Sequence, residues 1–196
     1  MLKGIAASSG IAIGKVYKLV EQKIEIVERA CEAGEELEKF EKALAKTISD
    51  IEGVKERAAV NLSPEELAVF DAHLMMASDP EYADQIKGMI KEGSTAEKAT
   101  KSVSDMMVSM FESMDNDYFK ERAADVKDVS FRLLCNVLGL IVPDLTAIDE
   151  EVIVVANDLT PSDTAQLNKK YTLGFVTEIG GRTSHSAIMA RSLEIP

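Results

Sequence analysis

Two changes in the spacing of apolar residues divide this chain into three parts. Residues 1–27 contain short β-branched runs interrupted by glycine, a pattern that predicts strands. From about 30 to 140, apolar residues recur every three or four positions among charged ones, which predicts amphipathic helices. The first helix shows the spacing most clearly, at Leu37, Phe40, Leu44, Ile48 and Ile51. After Pro143 short apolar runs return.

Capping residues predict where the first helices meet. Ser63, Pro64 and Glu66 follow the order of a capping box, in which the serine hydroxyl and the glutamate carboxylate each bind the other residue's backbone N–H. Asp79 and Pro80 predict that this helix stops and a new one begins at once.

The later helices are bounded in the same way. A second capping box is predicted from Ser94 to Glu97, and the last helix is expected to begin at Asp117 and to stop at Gly139. The helix between them carries one apolar side, formed by Val103, Met106, Met110 and Met114.

The last third alternates strands with helices. Residues 151–156 predict a buried strand, Thr160 and Pro161 a helix start, residues 171–180 a second strand and residues 184–193 a helix. Neither end of the chain holds enough apolar residues for a core of its own. The prediction is therefore an α/β domain built from residues 1–27 and 143–196, with residues 28–142 inserted as an all-α unit of helical hairpins.

Composition and net charge reduce the range of possible functions. The chain has 196 residues, 46% of them hydrophobic, and a net charge of −12, which disfavours nucleic-acid binding and suits a neutral or basic protein partner. Cys31 and Cys135 stand alone, so a reduced, cytoplasmic setting is the simpler interpretation. No apolar run approaches the ~20 residues of a membrane span, and no signal peptide is expected.

One of only two histidines, His185, lies in a segment suited to binding anions. Gly180 and Gly181 permit close backbone approach, and Thr183 and Ser184 are natural N-caps. Unpaired backbone N–H groups at a helix start attract anions, and neutral imidazole is a nucleophile at physiological pH.

This segment favours phosphoryl chemistry over two other kinds. Arg182 and Arg191 can add cationic donors to a phosphate. No second histidine, cysteine or carboxylate stands at metal-ligand spacing around His185, and the chain lacks the elbow motif of a serine hydrolase. An ordinary capping or core histidine remains the alternative.

The string "GGRTSHSAIMARSLEIP" resembles the phosphohistidine signature shared by Enzyme I of the bacterial sugar phosphotransferase system, pyruvate phosphate dikinase and phosphoenolpyruvate synthase. The resemblance implies that His185 is the phosphorylated residue. The strings "FDAHLMMASDPE", "YFKERAADVKDVSFRLL" and "NDLTPSDTAQL" are similar to Enzyme I, whose helical subdomain dikinases lack. The whole chain therefore resembles a phosphohistidine α/β subdomain with a helical insert that docks the phosphocarrier protein HPr.

The resemblance also implies roles for other residues. The Thr164 hydroxyl contacts the resting histidine, unless Thr164 is an ordinary helix residue, and Arg191 joins His185 and Thr164 in the catalytic group. His73 is interpreted as structural. Glu66 departs from members that carry a lysine there. The implied HPr-docking face consists of Met75, Met76, Asp79, Glu81, Arg122 and Asp125, although the two methionines can equally belong to a core.

The implied reaction moves a phosphoryl group from phosphoenolpyruvate to His185 and then to a histidine of HPr. Members of the family continue through a last strand and helix into a barrel that binds phosphoenolpyruvate and Mg²⁺ and forms a homodimer. We therefore expect an α/β subdomain that is incomplete after Pro196 and a chain that does not use phosphoenolpyruvate alone. The alternatives are a non-catalytic HPr-docking module and a nitrogen-branch paralogue with a different carrier.

Overall fold

A computed structural model describes residues 4–20, 22–60, 62–182 and 184–196, without the side chains of Asp117, Lys120, Glu121 and His185. The chain forms two compact units. The first, here the α/β unit, comprises Met1–Glu21, Val54–Leu67 and Pro143–Pro196. The second, the helical unit, comprises Gln22–Gly53 and Ala68–Val142.

The α/β unit contains a parallel three-stranded sheet. Its strands are β1 (Lys15–Lys18), β2 (Val152–Ala156) and β3 (Thr172–Thr177), in the order β1-β2-β3. The chain ends therefore share one sheet, as predicted. Helices α6 (Pro161–Ala165) and α7 (His185–Ser192) and a 3₁₀ turn (Leu145–Ala147) complete the unit.

Alternate residues of the central strand β2 point into the core of this unit. Val152, Val154 and Ala156 are buried, and they share one apolar cluster with Leu145 and Leu167. Burial of this face stabilises the sheet at about 25 cal/mol per Å² of apolar surface removed from water.

The strand prediction for residues 1–27 was largely wrong. Among the described residues of that range, only Lys15–Lys18 form a strand, because only these residues pair with β2. Ile11 and Ile13 are 94% and 90% exposed, so their apolar character does not report a buried strand. A β-branched run does not become a strand without a neighbour to pair with.

The helical unit is built mainly from five helices, whose bounds follow the predicted stops and starts. They are α1 (Ala33–Ala58), α2 (Pro64–Ala77), α3 (Pro80–Lys91), α4 (Ala96–Glu112) and α5 (Asp117–Leu138). Helix α4 packs against α3 and α5. The core of the unit gathers Phe40, Tyr82, Ile86, Ile90, Val103 and Leu133.

Burial also affects the chemistry of this core. The hydroxyl of Tyr82 hydrogen-bonds Ser104 Oγ at 2.8 Å, which satisfies a polar group deep among apolar side chains. Burial raises the pKa of Tyr82 to about 12, because a phenolate would lose its hydration there.

The predicted caps were correct in part. Asp79 caps α3, Thr160 forms a capping box with Asp163, and Gly139 ends α5 in the left-handed conformation. The cap of α4 is Thr95 rather than Ser94, because the Thr95 hydroxyl is the group that accepts the N–H of Lys98. Helix α5 begins at Asp117, as predicted, and Asn116 is its N-cap.

Two further expectations differ from the structure. The predicted boundary placed all of residues 28–142 in the helical insert, whereas Val54–Leu67 group with the α/β unit. The boundary thus falls within α1 and α2, since an unbroken helix can contribute to two cores and its sequence then carries no break. On α4, Val103 is buried, but Met106 and Met110 are 56% and 47% exposed.

Gly139 and Gly88 allow a test of the explanation that α5 ends at Gly139 because of its left-handed backbone conformation. Gly139 has φ +68°, which costs an L-residue about 1–2 kcal/mol, whereas Gly88 lies inside α3. An added Cβ meets nothing within 4 Å at either position. Gly139→Ala should therefore lower the free energy of unfolding by about 1 kcal/mol, while Gly88→Ala should raise it by about 0.5–1 kcal/mol. Urea denaturation measures both, and equal effects of the same sign would contradict the conformational explanation.

Candidate functional site

The segment that leads to His185 forms a capped helix start, as predicted. His185 is the first residue of α7, and Ser184 is its N-cap. The Ser184 hydroxyl accepts the N–H of Ala187 at 3.3 Å and donates to the carbonyl of Gly181 at 2.8 Å. The same hydroxyl lies 3.1 Å from Ser186 Oγ, so a network of hydroxyl groups surrounds the start of the helix. The predicted cap Thr183 and the imidazole of His185 lie outside the described part of the chain.

The turn before this cap requires glycine at one of its two predicted positions. Gly180 has φ +122°, and a Cβ there would lie 3.3 Å from Ser184 Oγ. Gly181 has no positive φ, and a Cβ there would meet nothing within 4 Å. Gly180 therefore sets the course of the backbone, and Gly181 contributes the carbonyl that binds Ser184.

Arg191 contacts backbone carbonyl groups. Its Nη1 donates to the carbonyl of Arg182 at 2.9 Å and to that of Ala7 at 3.0 Å. One guanidinium nitrogen thus ties the end of α7 to the loop before His185 and to the N-terminal segment. These contacts give the predicted catalytic residue Arg191 a positioning role, while Arg182 has an exposed side chain beside the same loop.

Glu66 secures the last residue of α7. Its Oε1 accepts a hydrogen bond from Ser192 Oγ at 3.1 Å, and its Oε2 accepts the Ser63 N–H at 2.9 Å. The Ser63 N–H holds the pKa of the Glu66 carboxyl below its usual value, although partial burial opposes this shift. Glu66 is therefore an anchor between the start of α2 and the end of α7.

Thr164 lies in α6, which packs against α7. It is fully buried, and its hydroxyl donates to the carbonyls of Thr160 and Pro161 at 3.1 and 2.9 Å. A hydroxyl that donates to carbonyls keeps acceptor capacity for an imidazole N–H. Its contact with His185 stays a prediction.

An open cleft of about 540 Å³ borders the start of α7. The N-terminal segment, β3 and the Gly180–Gly181 turn form its walls, and hydroxyl groups of Ser8, Thr177, Ser184 and Ser186 line it. Polar groups that converge beside a helix start are suited to an anionic group. The cleft therefore belongs to the same candidate site as His185.

The two methionines predicted on the docking face have different surroundings. Met75 is 75% exposed on α2. Met76, its neighbour, packs against the core of the helical unit. The two methionines therefore differ: Met75 lies on the surface, and Met76 packs in the core.

The acidic pair at the start of α3 is exposed, but its two members differ. Asp79 is the N-cap, and its Oδ1 accepts the N–H of Glu81 at 2.8 Å. A change at Asp79 therefore also removes a cap, at a cost of about 1 kcal/mol. Glu81 makes no such backbone contact through its side chain among the hydrogen bonds described, so it probes surface charge more cleanly.

Arg122 and Asp125 form an ion pair on α5. Arg122 Nη1 donates to Asp125 Oδ2 at 2.9 Å. The side chain of Asp125 is only 14% exposed, and its Oδ1 lies 3.3 Å from the Nε2 of His73. Arg122 is 38% exposed and stacks on Tyr118, so it is the more accessible member of the pair.

The residues that the structure describes form neither a metal-binding cluster nor a membrane-spanning helix. No group of three histidine, cysteine, aspartate or glutamate side chains comes together there in a way that could hold a metal ion. No helix in that part of the chain is long and apolar enough to span a bilayer.

Two features of the described residues were not predicted from the sequence. The exposed Met106 and Met110 were treated only as one apolar side of a helix, and the contact between Glu66 and Ser192 was not foreseen. The excess of methionine on α4 was a usable signal for a surface, since flexible thioethers suit adaptable contacts. The Glu66 contact joins residues 126 positions apart, and no local pattern reports it.

Two family models match this chain. The model described as PEP-utilising enzyme, N-terminal, matches residues 3–122, and the model described as PEP-utilising enzyme, mobile domain, matches residues 148–196. The second match contains the whole segment around His185.

Curated relatives match over the full chain. The phosphoenolpyruvate-protein phosphotransferase of Listeria innocua is 53% identical and that of Bacillus subtilis is 51% identical, both over 197 residues and 100% of this chain. The chain spans 34% and 35% of their respective lengths, or about a third of each relative.

Solved structures confirm the combination of α/β and all-α parts. An NMR structure of Enzyme I matches with a TM-score of 0.90 and 48% identity, covering 100% of this chain and 81% of that one. The N-terminal domain of Enzyme 1 – Nitrogen matches with a TM-score of 0.67 and 27% identity, covering 98% of this chain and 80% of that one.

Arg191 offers a test of how the loop before His185 is held. Arg191→Met removes the donors to Arg182 and Ala7 but keeps an aliphatic side chain, so the amides of Gly181 and Ser184 should exchange faster. The free energy of unfolding should fall by about 1 kcal/mol, because both bonds are near solvent. Arg191→Lys, which keeps a charged donor, should lie between this variant and the wild type. Amide exchange followed by NMR measures the effect, and an unchanged loop in Arg191→Met would contradict the positioning role.

Proposed function

The chain belongs to the family of PEP-utilising enzymes, and we propose that it carries the phosphohistidine and carrier-docking parts of an Enzyme I, the phosphoenolpyruvate-protein phosphotransferase. In this proposal a phosphoryl group from phosphoenolpyruvate is carried by His185 and passed to a histidine of HPr. The observation that carries the proposal is the position of His185 as the first residue of α7, after the Gly180 turn and the Ser184 cap.

The transfer step needs a nucleophile and donors for phosphate oxygens. A neutral nitrogen of the HPr histidine attacks the phosphorus carried by His185 as the bond from phosphorus to His185 breaks. One N–P bond replaces another, so the reaction reverses readily and His185 is the nucleophile in the reverse direction. The start of α7 provides backbone N–H groups for the phosphate oxygens, and the nearby Arg182 can add a cation. Ser184, Arg191 and Glu66 keep the helix in place while the charge moves.

The proposal assigns the binding of phosphoenolpyruvate and Mg²⁺ to another part of the relatives, a barrel domain that also forms the homodimer. The proposal accordingly assigns to these 196 residues the exchange of phosphate with HPr. The cytoplasm, where phosphoenolpyruvate is available, is the proposed location.

In this proposal the helical unit binds HPr. Exposed Met75 supplies adaptable apolar contact, and Glu81 and the accessible part of Arg122 supply charge. The exposed Met106 and Met110 extend the apolar surface of the same unit. The nitrogen branch is the nearer alternative, but the Enzyme I structure is more similar to this chain than the Enzyme 1 – Nitrogen structure, at 48% against 27% identity.

The assignment of the phosphoryl carrier can be tested with phosphorylated HPr. The wild-type chain should acquire a phosphate that is stable in base and labile in acid, as phosphohistidine is, and His185→Ala should acquire none. His73, the other histidine, remains in both proteins and serves as an internal control. Mass spectrometry of base-stable peptides gives the position. Persistent labelling of His185→Ala would overturn the assignment of His185, whereas no labelling of a folded wild type would favour the non-catalytic docking module.

The adjacent methionines provide a matched pair for the docking face. Met75→Gln should weaken HPr binding about tenfold, since it removes exposed apolar contact, and should leave the free energy of unfolding unchanged. Met76→Gln should lower the free energy of unfolding by about 2 kcal/mol, because it places an amide against the core. Calorimetric titration and urea denaturation separate the two effects. A folded Met75→Gln variant with wild-type affinity would place the docking face elsewhere.

A further inference from the structure

We propose that His73 is a positioning residue for HPr recognition, which holds Arg122 in place through Asp125. The proposal rests on the docking function proposed above, and all three residues lie in the helical unit. His73 belongs to α2, and Arg122 and Asp125 belong to α5.

His73 is too buried to contact a partner itself. The residue is 2% exposed, and its ring lies edge-on to Phe70 with the ring centroids 6.3 Å apart. A polar ring in such surroundings needs a hydrogen-bond partner. Its described partner is Asp125 Oδ1, at 3.3 Å from Nε2.

Asp125 connects the buried histidine to the accessible arginine. Its Oδ1 faces His73 and its Oδ2 accepts from Arg122 at 2.9 Å, so both oxygens are occupied. A carboxylate paired with a guanidinium only accepts hydrogen bonds, which makes His73 Nε2 the donor. Asp125 is thus an internal support of the docking face, with little of its side chain available to a partner.

Arg122 is held from two sides. Its Cζ lies 5.0 Å from the centroid of the Tyr118 ring, and its Nη1 is bound to Asp125. A free arginine side chain samples many rotamers, and fixing it before binding removes an entropic cost of recognition. The remaining N–H groups of this fixed guanidinium are suited to an amide, carbonyl or carboxylate oxygen on the partner.

A double-mutant cycle tests this chain of contacts. His73→Met removes the donor at similar volume, and HPr of Bacillus subtilis is the probe. We expect His73→Met to weaken HPr binding about fivefold in the wild-type background and not at all in the Arg122→Ala background. His73→Gln places an amide N–H near the Nε2 position and should restore most of the affinity.

A purely structural histidine gives a different pattern. His73→Met would then weaken binding by the same factor with or without Arg122, and that result would overturn the proposal. If His73→Met does not fold, Asp125→Asn replaces it in the cycle, with the same expectation that its effect vanishes in Arg122→Ala. Circular dichroism and urea denaturation identify the folded variants.

A measurement on the free protein separates this proposal from the docking function. NMR relaxation of the Arg122 guanidinium should show an ordered side chain in the wild type and in His73→Gln, and a more mobile one in His73→Met. Equal order in all three proteins would overturn the positioning role. If wild-type HPr titration shows no binding, the docking function fails, and the proposed recognition role of His73 fails with it, whatever the arginine order shows.

Discussion

The structure around the candidate site depends on fixing a short helix at both ends. Helix α7 has eight residues, and a helix of that length is unstable in water without support. The Ser184 hydroxyl accepts the N–H of Ala187 at its start, Arg191 ties its last turn to the preceding loop, and Glu66 accepts a hydrogen bond from its last residue. Ala187 and Ala190, on its inner face, are buried. The position of His185 is therefore set by segments that lie far apart in the sequence.

The helical unit is stabilised in a different way, because its helices are long and have an extensive core of their own. Its stability comes from apolar packing and from caps such as Thr95 and Gly139, so side chains on its outer surface are available for recognition. The contrast between Met75 and Met76 shows the division within a single helix. Adjacent identical residues have different surroundings because a helix turns about 100° per residue, which directs one to the core and the other to solvent.

Features set by local chemistry could be predicted from the sequence. The caps at Asp79, Thr160 and Ser184 and the stop at Gly139 each depend on a few neighbouring residues, and the structure has all of them. The α4 cap was misplaced by one residue because serine and threonine stand side by side and either can cap.

Features set by distant contacts could not be predicted in the same way. Lys15–Lys18 form a strand only because β2 lies beside them, and residues nearby with a similar pattern do not pair. Arg191 suggested a phosphate ligand from its charge, but the carbonyl of Ala7, 184 positions away, shares its Nη1 with that of Arg182. A motif therefore indicates which residues form a site more reliably than it indicates what each one binds.

In the proposed function, the arrangement of charge suits a carrier protein that must arrive and leave in every cycle. A net charge of −12 and exposed acids such as Glu81 attract a basic surface over several ångströms, and this mainly raises the rate of association. Such rim charges change the rate of dissociation little, so the partner can still leave quickly. Specific recognition then requires a few well-held groups, and a rigid guanidinium among acidic residues is one, since it rejects partners that lack an acceptor at that point. Different side chains thus attract the partner and discriminate between partners. Only the discriminating side chain needs to be held in place by buried residues.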